Sequence, residues 1–424
     1  MRALTLLLVI GAVGGAFGCE GPPLTGARPR TGQTDAGCCA NKYDLLFVID
    51  DGPSMAPLQQ KLVAQLPTFM QVLQTLPEPP SLHVAVVSAD LGAPSDVPGQ
   101  IGCSAKGDEG AFQFEPRGAC TETTLAPGAT FIVDDPTTGT TNFGLPEATG
   151  LPGVFQCIGA LGAGGCEFGH PLAAAARALG ADGLGPPPPG NEGFLRADAH
   201  LGIIFIGNED DCSAPADTTI YSLNGRPNGL SNPDGPLTRY RCAGGPRGGH
   251  ACRASSGVRS LMVPLLAPPA GAPGTALDLF DCQDNAQPPN GTGTSALIPV
   301  SKFVRDIQAL KPDPTNQILV AGVIGPPTPY AVEWDPAPDG QGTMAEAEAW
   351  PALQHACGPQ TAADPAVNPG SPQVTTDGSF GDPGVREAQF LSAFPNAVIG
   401  SVCDDRYSTA LVAIATPLQP LVGR

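Results

Sequence analysis

Several short, unbroken apolar runs along the chain end in acidic residues. Leu45–Ile49 runs into Asp50 and Asp51. Leu201–Ile206 (LGIIFI) runs into Gly207, Asn208, Glu209, Asp210, Asp211 and Cys212. Ala397–Val402 ends at Cys403, Asp404 and Asp405. Leu82–Ser88 (LHVAVVS) and Gln317–Ile324 (QILVAGVI) are runs of the same kind. Apolar, β-branched stretches of this length read as strands buried on both faces. Between them the period becomes helical. Leu58, Leu62, Leu66, Phe69, Leu73 and Leu76 share one face over 57–76, with an interruption expected at Pro67. Pro171 opens a helix over LAAAARALG, 172–180, which Gly180 closes. Val300–Leu310, Val385–Phe394 and Arg406–Leu418 also read as helices. Strand, helix, strand is the unit of a parallel sheet. The predicted class is α/β, a doubly wound, mostly parallel sheet with helices on both faces.

Insertions at about 91–169, 213–298 and 325–383 interrupt this alternation. Gly (55) and Pro (49) are abundant in the chain, so much of the inserted sequence reads as irregular loop. TFIVDD at 130–135 reads as a short strand, and a helix is expected around 343–356. Loops this long are uncommon in a compact domain unless something ties them. The chain has 13 cysteines. Proximity and strand layout suggest the pairs Cys103–Cys120, Cys157–Cys166, Cys242–Cys252 and Cys357–Cys403. The pairs His250/Cys252 and His355/Cys357 have zinc-ligand chemistry, but in an oxidising compartment disulfides are the expected fate of these cysteines.

The N-terminus points to that compartment. Arg2 precedes an apolar stretch, Ala3–Val13, too short to cross a bilayer, and small residues lead to Ala16-Phe17-Gly18-Cys19. This resembles a bacterial lipoprotein processing site. It implies a signal peptide over 1–18, lipidation of Cys19, a flexible tether over 19–39 and a folded domain over 40–424. Removing Cys19 leaves an even number of cysteines. Ordinary signal cleavage is the alternative. The expected location is the cell envelope, at the outer membrane or cell surface, touching membrane only through the anchor. A net charge of −19 without a basic cluster argues against nucleic acid and against an anionic membrane surface as partners. Aromatic residues are 5% of the chain, too few to suggest a stacking platform.

The first strand with Asp50-x-Gly52-x-Ser54, then LHVAVVSADLGAP, NEDDC and SVCDDRYSTAL, occur in an order that resembles cysteine-rich bacterial lipoproteins with von Willebrand factor A (VWA)-like domains. The resemblance implies a metal-dependent adhesion site at the C-terminal strand edge, holding Mg²⁺ or Ca²⁺. Carried over, its ligands are Asp50, Ser54 and Asn208. Gly52 lacks the family's first serine hydroxyl, the segment 161–171 lacks its threonine, and Asn208 stands where an aspartate is usual. Glu167, Asp51, Glu209, Asp210 and Asp211 are the acidic residues that could substitute. The plainer alternatives are that Asp50 stabilises its turn and that 209–211 is a solvated loop pinned by Cys212.

Gly52-Pro53-Ser54-Met55-Ala56 is also a near-variant of a nucleophile elbow, with Asp210 and His355 following in hydrolase order. Here, however, the serine follows the first strand, and nothing else suggests an oxyanion hole. The expected function is therefore non-catalytic: adhesion or binding of an unknown macromolecular ligand. The alternatives are a structural envelope lipoprotein without a specific ligand and, third, a serine hydrolase.

Overall fold

The structure, a computed structural model, describes residues 41–74, 78–94, 103–117, 120, 125–144, 150–222, 237–244, 247–254, 259–261, 276–285, 295–336, 349–359 and 374–407. The leader, Cys19, the tether and most of the expected closing helix lie outside these residues.

In chain order the elements are β1 (Lys42–Ile49), α1 (Ala56–Gln74), β2 (Ser81–Ser88), β3 (Ile132–Asp135), β4 (Thr140–Thr141), α2 (Gly150–Ile158), α3 (Pro171–Ala178) and β5 (His200–Ile206). Then follow α4 (Tyr240–Ala243), β6 (His250–Ala254), β7 (Arg259–Leu261), β8 (Ala276–Asp284), α5 (Val300–Gln308) and α6 (Pro314–Gln317). The last are β9 (Ile318–Ile324), β10 (Tyr330–Pro336), β11 (Ala349–Leu353), α7 (Val385–Ser392) and β12 (Ala397–Ser401).

The main sheet has seven strands in the order β12-β9-β5-β1-β2-β3-β4. The five apolar runs form its parallel part, and β3 and β4 add an antiparallel edge. The chain lays strands outward from β1 to β4, then returns and builds the other way from β5 to β12. That reversal leaves a crevice beyond the C-terminal ends of β1 and β5. The registers keep those ends level: Ile49 pairs with Ser88 and Ile206, Ile206 with Val323, and Ile324 with Ser401.

Period-2 alternation sends each strand's side chains to two cores. Tyr43, Leu45, Phe47 and Ile49 meet α1 and α2. Leu46 and Val48 meet α3, α5 and α7. On α1, Leu58, Leu62, Leu66, Phe69 and Leu73 are fully buried, a burial worth on the order of 10 kcal/mol together.

Contrary to expectation, Pro67 does not interrupt α1, which runs unbroken from Ala56 to Gln74. A proline there cannot donate to the carbonyl four residues back, that of Val63. The Gln156 side-chain amide on α2 donates to that oxygen instead, at 2.9 Å.

The insertions are more ordered than their composition suggests. α2 lies within 91–169. Strands from 213–298 and 325–383 build a second, antiparallel sheet in the order β11-β10-β8-β6-β7. Its core holds Tyr240, Leu279, Tyr330, Val332 and Trp334. Part of the expected helix at 343–356 is strand: β11 covers Ala349–Leu353 and pairs antiparallel with β10. Pro351 opposes helix there and is tolerated because β11 is an edge strand.

Among the described residues five disulfides tie the loops, and most differ from the nearest-neighbour expectation. Cys103 bonds Cys166 and Cys120 bonds Cys157, exchanging the expected partners. Cys242 bonds Cys212, and Cys252 bonds Cys282. Cys357 bonds Cys403. Proximity in sequence failed because the partners are set by tertiary packing: Cys157 lies on α2, Cys242 on α4, and the antiparallel pairing of β6 with β8 brings Cys252 to Cys282. Five disulfides are compatible with an exported protein. Among the described residues no helix is long and apolar enough to cross a membrane.

Candidate functional site

The level strand ends deliver Asp50 and Asp51 after β1, Asp90 after β2, and Asn208 to Asp211 after β5 to one edge of the main sheet. Asp50 is held there by its backbone N–H, which donates to the Ile206 carbonyl at 2.8 Å. Its carboxylate accepts from the Gly52 N–H at 2.9 Å, and its carbonyl accepts from the Gln59 amide at 3.0 Å. The Asp50 side chain thus stabilises its own turn at the entry to α1. Burial pushes its pKa up to about 6, helped by Glu167 and Asp90 and opposed by the Gly52 N–H and Arg239. Asp51 is pushed to about 8, by burial first and then by Asp50, Asp90 and Asp108. Its carboxylate lies against Gly165, where a Cβ would come within 2.3 Å of it.

The Ser54 hydroxyl reaches Asn208 Oδ1 at 3.1 Å and donates to Glu209 Oε1. The structure therefore brings Ser54, Asn208 and Glu209 together. Asn208 is fully buried, and its carbonyl accepts from the Asp382 N–H at 2.8 Å. That bond docks the segment before α7 onto the strand edge.

Arg239 is the centre of this edge. It immediately precedes α4 and reaches three carboxylates from three segments. Its Nε is 3.0 Å from Glu167, its Nη1 pairs with Glu209, and the same Nη1 lies 3.6 Å from Asp382. Asp382 accepts or shares a hydrogen bond with His355 Nδ1 at 2.5 Å, and the His355 ring stacks on Phe380 at 3.9 Å. Burial raises the pKa of Glu209 well above the usual carboxylate range, and the Arg239 charge only partly counters it. Burial opposes the charge on Arg239, but Glu209, Asp382 and Glu167 together hold its pKa above the usual arginine value.

Asp210 and Asp211 face other partners. Asp210 accepts from His250 Nε2 at 2.6 Å and from the N–H groups of Arg386 and Glu387 at the start of α7. Asp211 takes Arg386 at 3.0 Å, the Ser213 hydroxyl at 2.5 Å and the Leu172 N–H of α3 at 3.1 Å. Arg386 also pairs with Asp284 of β8. These two carboxylates hold helices and the second sheet in place. A cavity of about 20 Å³, enough for one water, lies among Glu167, Glu209, Asp210, Arg239, His250 and Asp382.

The residues do not fit the divalent ion implied by the family resemblance. Gly52 supplies no hydroxyl, Asn208 supplies a neutral amide, and the Glu209 carboxylate is already engaged by Ser54 and Arg239. Among the described residues no group of three or more His, Cys, Asp or Glu side chains is arranged to hold a metal ion. The zinc alternative is overturned, because Cys252 and Cys357 are both disulfide-bonded. The hydrolase order is not assembled either: Ser54 bonds Asn208 and Glu209, Asp210 bonds His250, and His355 bonds Asp382.

Sequence reasoning missed Arg239 and Asp382. Both lie in inserts, and neither follows an apolar strand. Arg239 alone carried a signal: it sits three residues before a cysteine in a chain with few basic residues. No protein-family model matches the chain, and no curated protein sequence matches it.

Proposed function

We propose that the chain is an exported envelope protein, anchored through a lipid on Cys19, whose VWA-like domain is a non-catalytic binding module for a macromolecular partner. The observation that carries this reading is the meeting of three inserted segments at the C-terminal strand edge, two tied by disulfides and one docked by a hydrogen bond. The 161–169 segment is held by Cys103–Cys166, the 237–243 segment by Cys212–Cys242, and the 374–384 segment is docked by the Asp382 N–H on Asn208. Rigid loops on a level sheet edge form a recognition surface. The strand order, with its reversal between β1 and β5, supports the doubly wound assignment on which the VWA-like reading rests. Ser54 faces a carboxylate and an amide rather than a histidine, which argues for binding over hydrolysis.

The test is affinity capture from envelope extracts on immobilised residues 40–424, compared with the same domain carrying Glu167→Lys and Glu209→Lys. Saturable capture of one partner, weakened by the double variant, supports the reading. Capture unchanged by the variant, or ester turnover that Ser54→Ala abolishes, overturns it. Fatty-acid labelling that survives Cys19→Ser overturns the anchor.

A further inference from the structure

We infer that Arg239 is a built-in cation, whose guanidinium takes the place of an exchangeable metal ion at the strand edge and makes this face independent of divalent ions. The inference uses the proposed function only in treating the strand edge as the ligand-facing surface.

The geometry carries it. Glu167, Glu209 and Asp382 come from three separate segments, and all three converge on one guanidinium. With Ser54 and Asn208 beside Glu209, the oxygen-rich set that would receive a hard cation surrounds a side chain instead. Arg239 is not a stray surface arginine. Its carbonyl accepts from the Cys242 N–H at 2.9 Å and the Ala243 N–H at 3.3 Å. Cys242 is bonded to Cys212, close behind Glu209 in the chain. The disulfide therefore fastens the arginine's loop to the strand end that carries its main partner. The Phe380 ring lies 6.0 Å from the guanidinium carbon. The Arg239 side chain is 26% exposed, so the cation is seated at the surface of the cluster rather than sealed beneath it.

A tethered cation differs from a bound one in a measurable way. A metal site gains stability by mass action as free ion rises, and it loses it in chelator. A guanidinium held by the chain does neither. Removing it leaves Glu167, Glu209 and Asp382 without their shared counter-charge, which a divalent ion at millimolar concentration can supply once the vacated side chain lets the carboxylates draw together.

The experiment is thermal unfolding of residues 40–424 in chelator and with about 10 mM Mg²⁺ or Ca²⁺ added, with potassium chloride matching ionic strength as the control. For the unaltered domain the expected result is one melting temperature in all conditions. Arg239→Ala and Arg239→Gln should melt lower in chelator and recover by about 2 °C with the divalent ion, as mass action on a millimolar site gives. Arg239→Lys, which keeps the charge, should remain insensitive. If a variant does not fold in chelator, its refolding yield with and without calcium replaces the melting curve. A divalent response of the unaltered domain overturns the inference. So does a flat response from both neutral variants. Either result leaves partner capture untouched as a separate question.

Discussion

His250 and Asp210 are joined by a hydrogen bond of 2.6 Å between Nε2 and Oδ2. The other ring nitrogen of His250 bonds the Tyr330 hydroxyl at 2.8 Å. One buried imidazole thus links the C-terminal end of β5 to β6 and β10 of the second sheet. Replacing it with alanine leaves a buried carboxylate short of a partner. His250→Ala should cost about 2–4 kcal/mol in urea unfolding, and Tyr330→Phe only about 1 kcal/mol. Equal losses from the two would show that the histidine does not join the sheets.

The same bond sets an acid limit. Burial alone would raise the pKa of Asp210, but the His250 hydrogen bond and charge, with the Arg386 N–H and charge, hold it below the usual aspartate value. A carboxylate held low contributes stability that is present above its unfolded pKa and lost as pH falls through its folded value. His250→Ala should therefore move the acid-unfolding midpoint to higher pH. An unshifted midpoint would separate Asp210 from acid unfolding.

Asp51 works in the opposite direction. Burial and three neighbouring carboxyl groups push it up to about 8. The folded chain keeps this proton where the unfolded chain has lost it, so stability falls as pH rises from about 4 toward 8 and then levels. Asp51→Asn removes the penalty. It should stabilise the domain by on the order of a few kcal/mol at pH near 8 and by little near pH 4. A gain of equal size at both pH values would assign the effect to something other than ionisation.

Arg386 is fully buried between Asp211 and Asp284. Arg386→Met keeps most of the volume and strands both carboxylates, so a loss of about 3–5 kcal/mol is expected in denaturant titration. A loss under about 1 kcal/mol would mean that the pair is solvated in solution.

Peptide mapping without reduction should return Cys103–Cys166, Cys120–Cys157, Cys212–Cys242, Cys252–Cys282 and Cys357–Cys403. The double change Cys252→Ser and Cys282→Ser opens a closed loop within the second sheet and should cost about 3–4 kcal/mol. Limited proteolysis should then cut between β6 and β8 before it cuts the main sheet. Cleavage of the main sheet first would contradict the separation of the two layers.

The main sheet was legible because each of its parallel strands is an unbroken apolar run, and such runs have few other uses in a chain this rich in Gly and Pro. The carboxylates at their ends were legible for the same reason. The second sheet was not. Strand β8, ALDLFDCQD, carries its acidic residues at every third position, Asp278, Asp281 and Asp284, and β11 contains a proline, so neither shows the period-2 alternation of a strand. The continuity of α1 was hidden because its repair at Val63 comes from Gln156, far along the chain. The centre of the site was hidden for a related reason. Arg239 owes its place to a disulfide and to three carboxylates from separate segments, and no local pattern records such a meeting.

Gly52 has a consequence of its own. A Cβ at this position would stand 3.1 Å from the Cys166 carbonyl oxygen and 3.2 Å from the Asp50 carboxylate. Cys166 is fixed by its bond to Cys103, so the obstacle is backbone that cannot easily step aside. A serine at 52 therefore needs the tied loop over it to give by a few tenths of an ångström. The glycine thus sets how closely the Cys103–Cys166 loop can sit over the turn that follows β1, and easing that loop is what makes room for a side chain there.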